Sequence, residues 1–168
     1  HSGMAGGIIP SSFRIARNLI SRLEDEDSGR ILLPELSVNI GDELRSEAQG
    51  IADVLGEAVW TDLPVLDGLE PQTPGLCEVV LSGNWRPSLS VTGVDGMPSI
   101  ANAGNVLRSH TDFKLSMRIP PGVESVDAQA AMENVLLADP PHGADVTFEA
   151  DAAANGFSAP AMAESMHA

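Results

Sequence analysis

The stretch Val106-Leu107-Arg108-Ser109-His110-Thr111-Asp112-Phe113-Lys114-Leu115-Ser116-Met117-Arg118-Ile119 decides the fold class. Its side chains alternate with a period of two. Thr111, Phe113, Leu115, Met117 and Ile119 share one face, and His110, Asp112, Lys114, Ser116 and Arg118 share the other. The pattern predicts a strand from Val106 to Ile119 with one side turned to a core. Ser88 to Val94 alternates in the same way and predicts a second strand. Beyond the long run, Ser125 stands as an N-cap for a helix through Ala138, with Ala128, Ala131, Met132, Val135 and Leu136 as its buried face. Asp145 to Ala150 alternates again, with Val146 and Phe148 inward. Ahead of both strands, Ser12 to Leu23 places Phe13, Ala16, Ile20 and Leu23 at helical spacing, with Arg14, Arg17 and Arg22 largely outside that stripe.

The order is therefore helix, strand, strand, helix, strand. That is an α+β arrangement, the ferredoxin-like split βαβ sandwich: an antiparallel sheet with two helices on one face, lacking its first strand. The topology expects that strand to be central and to run directly into His1. Residues 24–81 interrupt the pattern as an acidic insertion of Pro, Gly and short apolar runs. Within it Leu44, Ala48, Ile51 and Leu55 mark an amphipathic helix stopped by Gly56. The domain is expected to span 1–158, and Pro160 to open a helix over 159–168 that leads into a part of the protein not contained here.

Composition narrows the partners. With 24 acids against nine bases the net charge is −15, so the surface repels nucleic acid and anionic membrane. No run approaches the roughly 20 apolar residues of a membrane helix. The lone Cys77 excludes an internal disulfide, suits a reducing, cytoplasmic setting, and beside Val79, Val80 and Leu81 reads as a buried thiol. Glu24-Asp25-Glu26-Asp27 lacks calcium-loop spacing and reads as a solvated turn. Four scattered histidines form no ligand pair, so no metal is expected in this chain.

Two motifs are more specific: His1-Ser2-Gly3-Met4-Ala5-Gly6-Gly7, and Asn84-Trp85-Arg86-Pro87-Ser88-Leu89-Ser90-Val91-Thr92-Gly93. Together with Lys114-Leu115-Ser116-Met117-Arg118-Ile119-Pro120-Pro121 they resemble the dimerisation, or lid, domain of the dinuclear-zinc metallopeptidases. That family includes carnosinases, aminoacylases and glutamate carboxypeptidases, and the resemblance is to its carnosinase-like dipeptidase branch. It covers most of the chain and is weak across the insertion.

The resemblance implies a homodimer whose parent hydrolyses peptides or N-acyl amino acids with two zinc ions held in a catalytic domain outside this chain. It implies that His1 stabilises the oxyanion in trans. It further implies that Asn105, where the carnosinase pattern has Thr, binds substrate or oxyanion across the same interface, and that Arg118 grips the substrate's terminal carboxylate. Oxyanion- and carboxylate-binding residues are thus supplied to the partner subunit's active site. The residue types suit these roles: a donor aimed at a developing oxyanion is worth about 3 kcal/mol, and guanidinium pairs with carboxylate bidentately. Read without the resemblance, His1 is a bare terminal residue, Asn105 a turn residue and Arg118 an exposed strand residue. The alternative reading is a free-standing ferredoxin-like small-molecule-binding or regulatory module.

Overall fold

The computed structural model describes residues 2–157. Helices α1 (Ser2–Ala5) and α2 (Ser12–Ile20) come first, followed by a 3-10 turn, Pro34–Leu36. Then come α3 (Asp42–Leu55), α4 (Ala58–Thr61) and α5 (Leu76–Trp85). The strands β1 (Ser88–Asp95) and β2 (Asp112–Arg118) are joined by a loop holding the 3-10 turn Ile100–Asn102. Helix α6 (Ser125–Leu137) and the turn Pro141–Gly143 complete the order. The fold is α+β, with α2 and α6 packed on one face of the sheet: Leu19, Leu23, Ala128, Met132 and Leu136 are buried with Leu89, Leu115 and Met117 against them.

The hairpin β1–β2 is antiparallel and pairs Ser88 with Arg118, Val91 with Leu115, and Asp95 with Asp112. Register shifts between Val91 and Gly93, so Thr92 bulges. Strict alternation would have turned Gly93 to the core. After the bulge Val94 stands opposite Phe113 and the apolar face continues.

The long strand is shorter than its pattern. It begins at Asp112, not Val106, because β1 ends at Asp95 and leaves the residues before Asp112 without a ladder partner. The first helix stops at Ile20 rather than Leu23 and turns, its final carbonyls accepting from Ser21, Leu23 and Glu24. Its buried stripe is rotated: Leu19 is buried and Phe13 is partly exposed. In α3 the buried positions are Ala48 and Ala52, with Ile51 and Leu55 half exposed, although Gly56 does end the helix with φ 56°. Helix α5 lay unread in the insertion; its apolar residues run without helical spacing because it packs against α3 on one side and leads straight into the sheet. Helix α6 starts at Ser125 itself, and the Ser125 N–H is capped from a distance by Asn155 Oδ1 at 2.9 Å.

The alternation at Asp145–Ala150 survives without the strand. Val146 and Phe148 pack on the core, yet the segment has no ladder partner among the described residues. Between it and β2 lies an open trough of about 580 Å³, lined by Leu115, Met117, Ala128, Met132, Val146 and Phe148 among others. This is the position the split βαβ topology assigns to its first strand. A ladder needs a neighbour about 4.8 Å away, and across the trough there is none. The far wall is held by side chains instead: Lys114 pairs with Asp151, Gln129 Nε2 donates to the Asp151 carbonyl at 2.7 Å, and Gly156 lies so close to Pro120 that a Cβ would stand 2.5 Å from its carbonyl oxygen.

Candidate functional site

Of the three residues singled out by sequence, His1 lies outside the described residues, as does the helix expected from Pro160. Asn105 sits at an exposed bend in the loop 96–111, beyond the turn Ile100–Asn102. That loop has local order: Asn102 Nδ2 donates to Ser99 Oγ at 3.1 Å, and Val106 N–H to the Gly104 carbonyl at 2.8 Å. Arg118 is the last residue of β2, exposed, and opposite Ser88 in the ladder. Asn105 therefore belongs to the closed end of the hairpin and Arg118 to its open end, separated by a strand of about 20 Å. The Arg118 guanidinium makes no hydrogen bond or ion pair among the described residues.

The Trp-Arg motif has a structural part to play. Trp85 ends α5 and packs on the second apolar cluster, built from Ala48, Ala52, Val80 and Leu81. Arg86 pairs with Glu78, whose other carboxylate oxygen accepts from Arg45 Nη1 at 2.9 Å. The motif thus ties α5 and α3 to the start of β1. Cys77 is half-buried rather than buried, its Sγ 3.8 Å from the Arg45 carbonyl. Arg22, left outside the helical stripe by sequence, reaches the end of α6. Its guanidinium donates to the carbonyls of Val135 at 3.2 Å and Asp139 at 2.9 Å, and to that of Ala138. Nothing in local sequence signals a bond spanning 113 positions.

The acidic run is the solvated turn its composition suggested. Glu24 bridges to Ile31, and Gly29 N–H donates to the Asp25 carbonyl at 2.7 Å. Ser28 donates to the Asp25 carboxylate through both its hydroxyl and its N–H, which holds that carboxyl below the usual aspartate range; burial pushes Glu24 the other way. Among the described residues no group of three or more His, Cys, Asp and Glu side chains is placed to hold a metal ion. No described helix is long and apolar enough to cross a membrane. His110 contacts its neighbour Ser109 at 3.3 Å and lies outside β2, so it shares no strand face with Asp112.

A family model described as a peptidase dimerisation domain, that of the M20 peptidases, matches residues 1–144. The chain belongs to this family. The dimerisation domain is 32% identical over 126 residues to the Cys-Gly metallodipeptidase DUG1 of Candida albicans, an alignment covering 74% of this chain and 25% of the relative. In fold it is similar to human carnosine dipeptidase 1, with TM-score 0.60 and 22% identity over 81% of this chain and 29% of that one. It is also similar to the di-peptidase Dug1p of Saccharomyces cerevisiae, with TM-score 0.59 and 20% identity over 81% of this chain and 28% of that one. The chain thus spans about a quarter of the length of the relatives it matches.

Proposed function

We propose that this dimerisation domain serves a cytoplasmic, zinc-dependent dipeptidase or related amidohydrolase, forms a homodimer, and completes the active site with His1, Asn105 and Arg118. The observation that carries the reading is the 32% identity to a metallodipeptidase over 126 residues. In this reading residues 1–158 form the domain, 24–81 an insertion in it, and 159–168 lead back to the catalytic domain. In this reading the two zinc ions are held in the catalytic domain, and this chain's share is binding and charge stabilisation.

The hairpin supports a division across the dimer. The outer edge of β1 is unpaired among the described residues and carries Ser and Thr with no lysine to block pairing. Two copies pairing antiparallel along that edge, about a two-fold, extend the sheet between subunits. Antiparallel pairing reverses ends, so the Asn105 loop of one protomer comes beside Arg118 of its partner. The chain before Ser12 leaves from the same end as the Asn105 loop, since Ser12 bonds Thr111 at 2.8 Å. Each composite site then draws His1 and Asn105 from one protomer and Arg118 from the other, which departs from the expectation that the carboxylate-binding residue also crosses to the partner. His1 donates to an oxyanion that exists only as the transition state forms. Asn105 offers an amide donor nearby, and Arg118 holds the terminal carboxylate of a peptide or N-acyl amino acid.

His1→Ala in the full-length enzyme is expected to lower kcat about 100- to 1000-fold with little change in KM. Arg118→Ala acts mainly on KM, because the carboxylate is present in ground and transition states alike. Mixing His1→Ala subunits with subunits inactivated in the zinc site should restore partial activity. Verified mixed dimers that remain as inactive as either parent overturn the role of His1 in trans.

A further inference from the structure

The loop 96–111 that carries Asn105 is closed at its base. At its first residue, Gly96 adopts φ +79°, and an added Cβ would stand 2.7 Å from the His110 carbonyl oxygen, so the two feet touch. Its second foot is tied to the start of α2. Ser12 Oγ lies 2.8 Å from Thr111 Oγ1 and donates to the Arg108 carbonyl at 3.3 Å. A hydroxyl has one proton, so with Ser12 donating to Arg108 the Thr111 hydroxyl donates to Ser12, and the three groups form one chain of hydrogen bonds. Beside it, Phe13 and Phe113 meet with ring centroids 5.9 Å apart. The junction has a polar and an apolar half, joining positions 99 apart in sequence.

The loop's outer part adds little burial. Ile100 is 96% exposed, and Met97 and Val106 are exposed beside it. The base fixes where this outer part is directed from the sheet. Arg108, whose carbonyl Ser12 engages, is three residues from Asn105. Ser12 is also where the segment that starts at His1 enters α2. We propose that Ser12, through Thr111 and the Arg108 carbonyl, is a positioning residue that sets the foot of the Asn105 loop against α2, so that Asn105 reaches the partner's site. This rests on the role given to Asn105 above.

Ser12 stands at the first helical position and Ser11 occupies the cap, so alanine there leaves the helix intact. In the full-length enzyme Ser12→Ala is expected to lower kcat about 10-fold with KM within about two-fold, since small misplacements of a positioned group act on the transition state. Thr111→Val should do the same, the pair should not be additive, and Ser12→Thr should restore the rate. Amide exchange should quicken across 97–110 in Ser12→Ala and stay unchanged in α6. In an Asn105→Ala background, Ser12→Ala should have no further effect on kcat, which a merely structural residue would still lower. Unchanged kcat and exchange in Ser12→Ala, or an undiminished loss in the Asn105→Ala background, overturns the proposal. Wild-type kinetics for Asn105→Ala itself remove the role of Asn105 and the positioning role with it, whatever the exchange rates show.

Discussion

The two apolar clusters are built to different plans. The first sets Ala128 and Ala131 of α6 among a majority of larger apolar side chains from Leu19 and Leu23, from Ile31, Leu33 and Leu36, from Val123 and from Met132 and Leu136, so it joins stretches more than a hundred residues apart. The second, between α3 and α5, buries two alanines with Val80 and Leu81 and relies on small side chains to bring helices close. Around it run ion pairs from Glu78 to Arg45 and Arg86, all partly exposed. The difference teaches which part holds the domain together. Breaking the first cluster releases the sheet and both covering helices. Breaking the second loosens the layer of α3, α4 and α5, which is open to separate unfolding.

The comparison is sharpest at two leucines with no exposed surface, Leu36 in the first cluster and Leu81 in the second. Truncation of either to alanine is expected to cost about 3 kcal/mol where it acts. Leu36→Ala should lower amide protection throughout, and Leu81→Ala only in α3 and α5. Equal loss of protection in α6 for both variants breaks the distinction and makes the clusters one cooperative unit. Next in size is Arg22→Ala, which strips the carbonyls at the end of α6 of a charged donor; denaturant unfolding should show a loss of about 2 kcal/mol. In the second region Glu78→Gln should cost under about 1 kcal/mol and lose that cost in high salt, because the pairs are half-solvated.

The smallest effect concerns pH at the acidic turn between Leu23 and Ile31 of the first cluster. Asp25, stabilised as a carboxylate by Ser28, has its folded pKa lowered. Its contribution to stability is present above the unfolded aspartate value and is lost as pH falls through the lower folded one. Glu24, raised by burial, has the opposite sign: its contribution grows as pH falls and it takes up a proton more readily folded than unfolded. Carboxyl carbon shifts followed through an acid titration should give adjacent midpoints displaced in opposite directions, Asp25 down and Glu24 up. Midpoints displaced the same way contradict the turn geometry.

How far the sequence was legible follows from which forces are local. The β1 strand, α6 and the stop of α3 at Gly56 were visible because periodicity and a left-handed C-terminal glycine act within one element. The excess length read into β2, and the strand read at Asp145–Ala150, came from side-chain alternation without a neighbour to pair with. Alternation records which face is buried; a strand also needs a backbone partner. Helix α5 was hidden because Leu76 to Leu81 is apolar on more than one side. At the candidate site, motifs pointed to Arg118 and Asn105 but not to Ser12 and Thr111, since a pair of hydroxyls meeting across the fold leaves no pattern along the chain.

Sequence alone was enough for the α+β class, the family resemblance carried by the His-Ser-Gly and Trp-Arg motifs, and the faces that α6 and the hairpin turn inward. These rest on side-chain chemistry and short-range periodicity, which any stretch of chain carries with it. Tertiary structure decided the bulge at Thr92, the trough beside β2, the capping of α6 by Arg22 and Asn155, and the hairpin ends at which Asn105 and Arg118 stand. Each of those depends on where a distant backbone group comes to rest, and hydrogen bonds of about 3 Å reach are settled only when the segments have met.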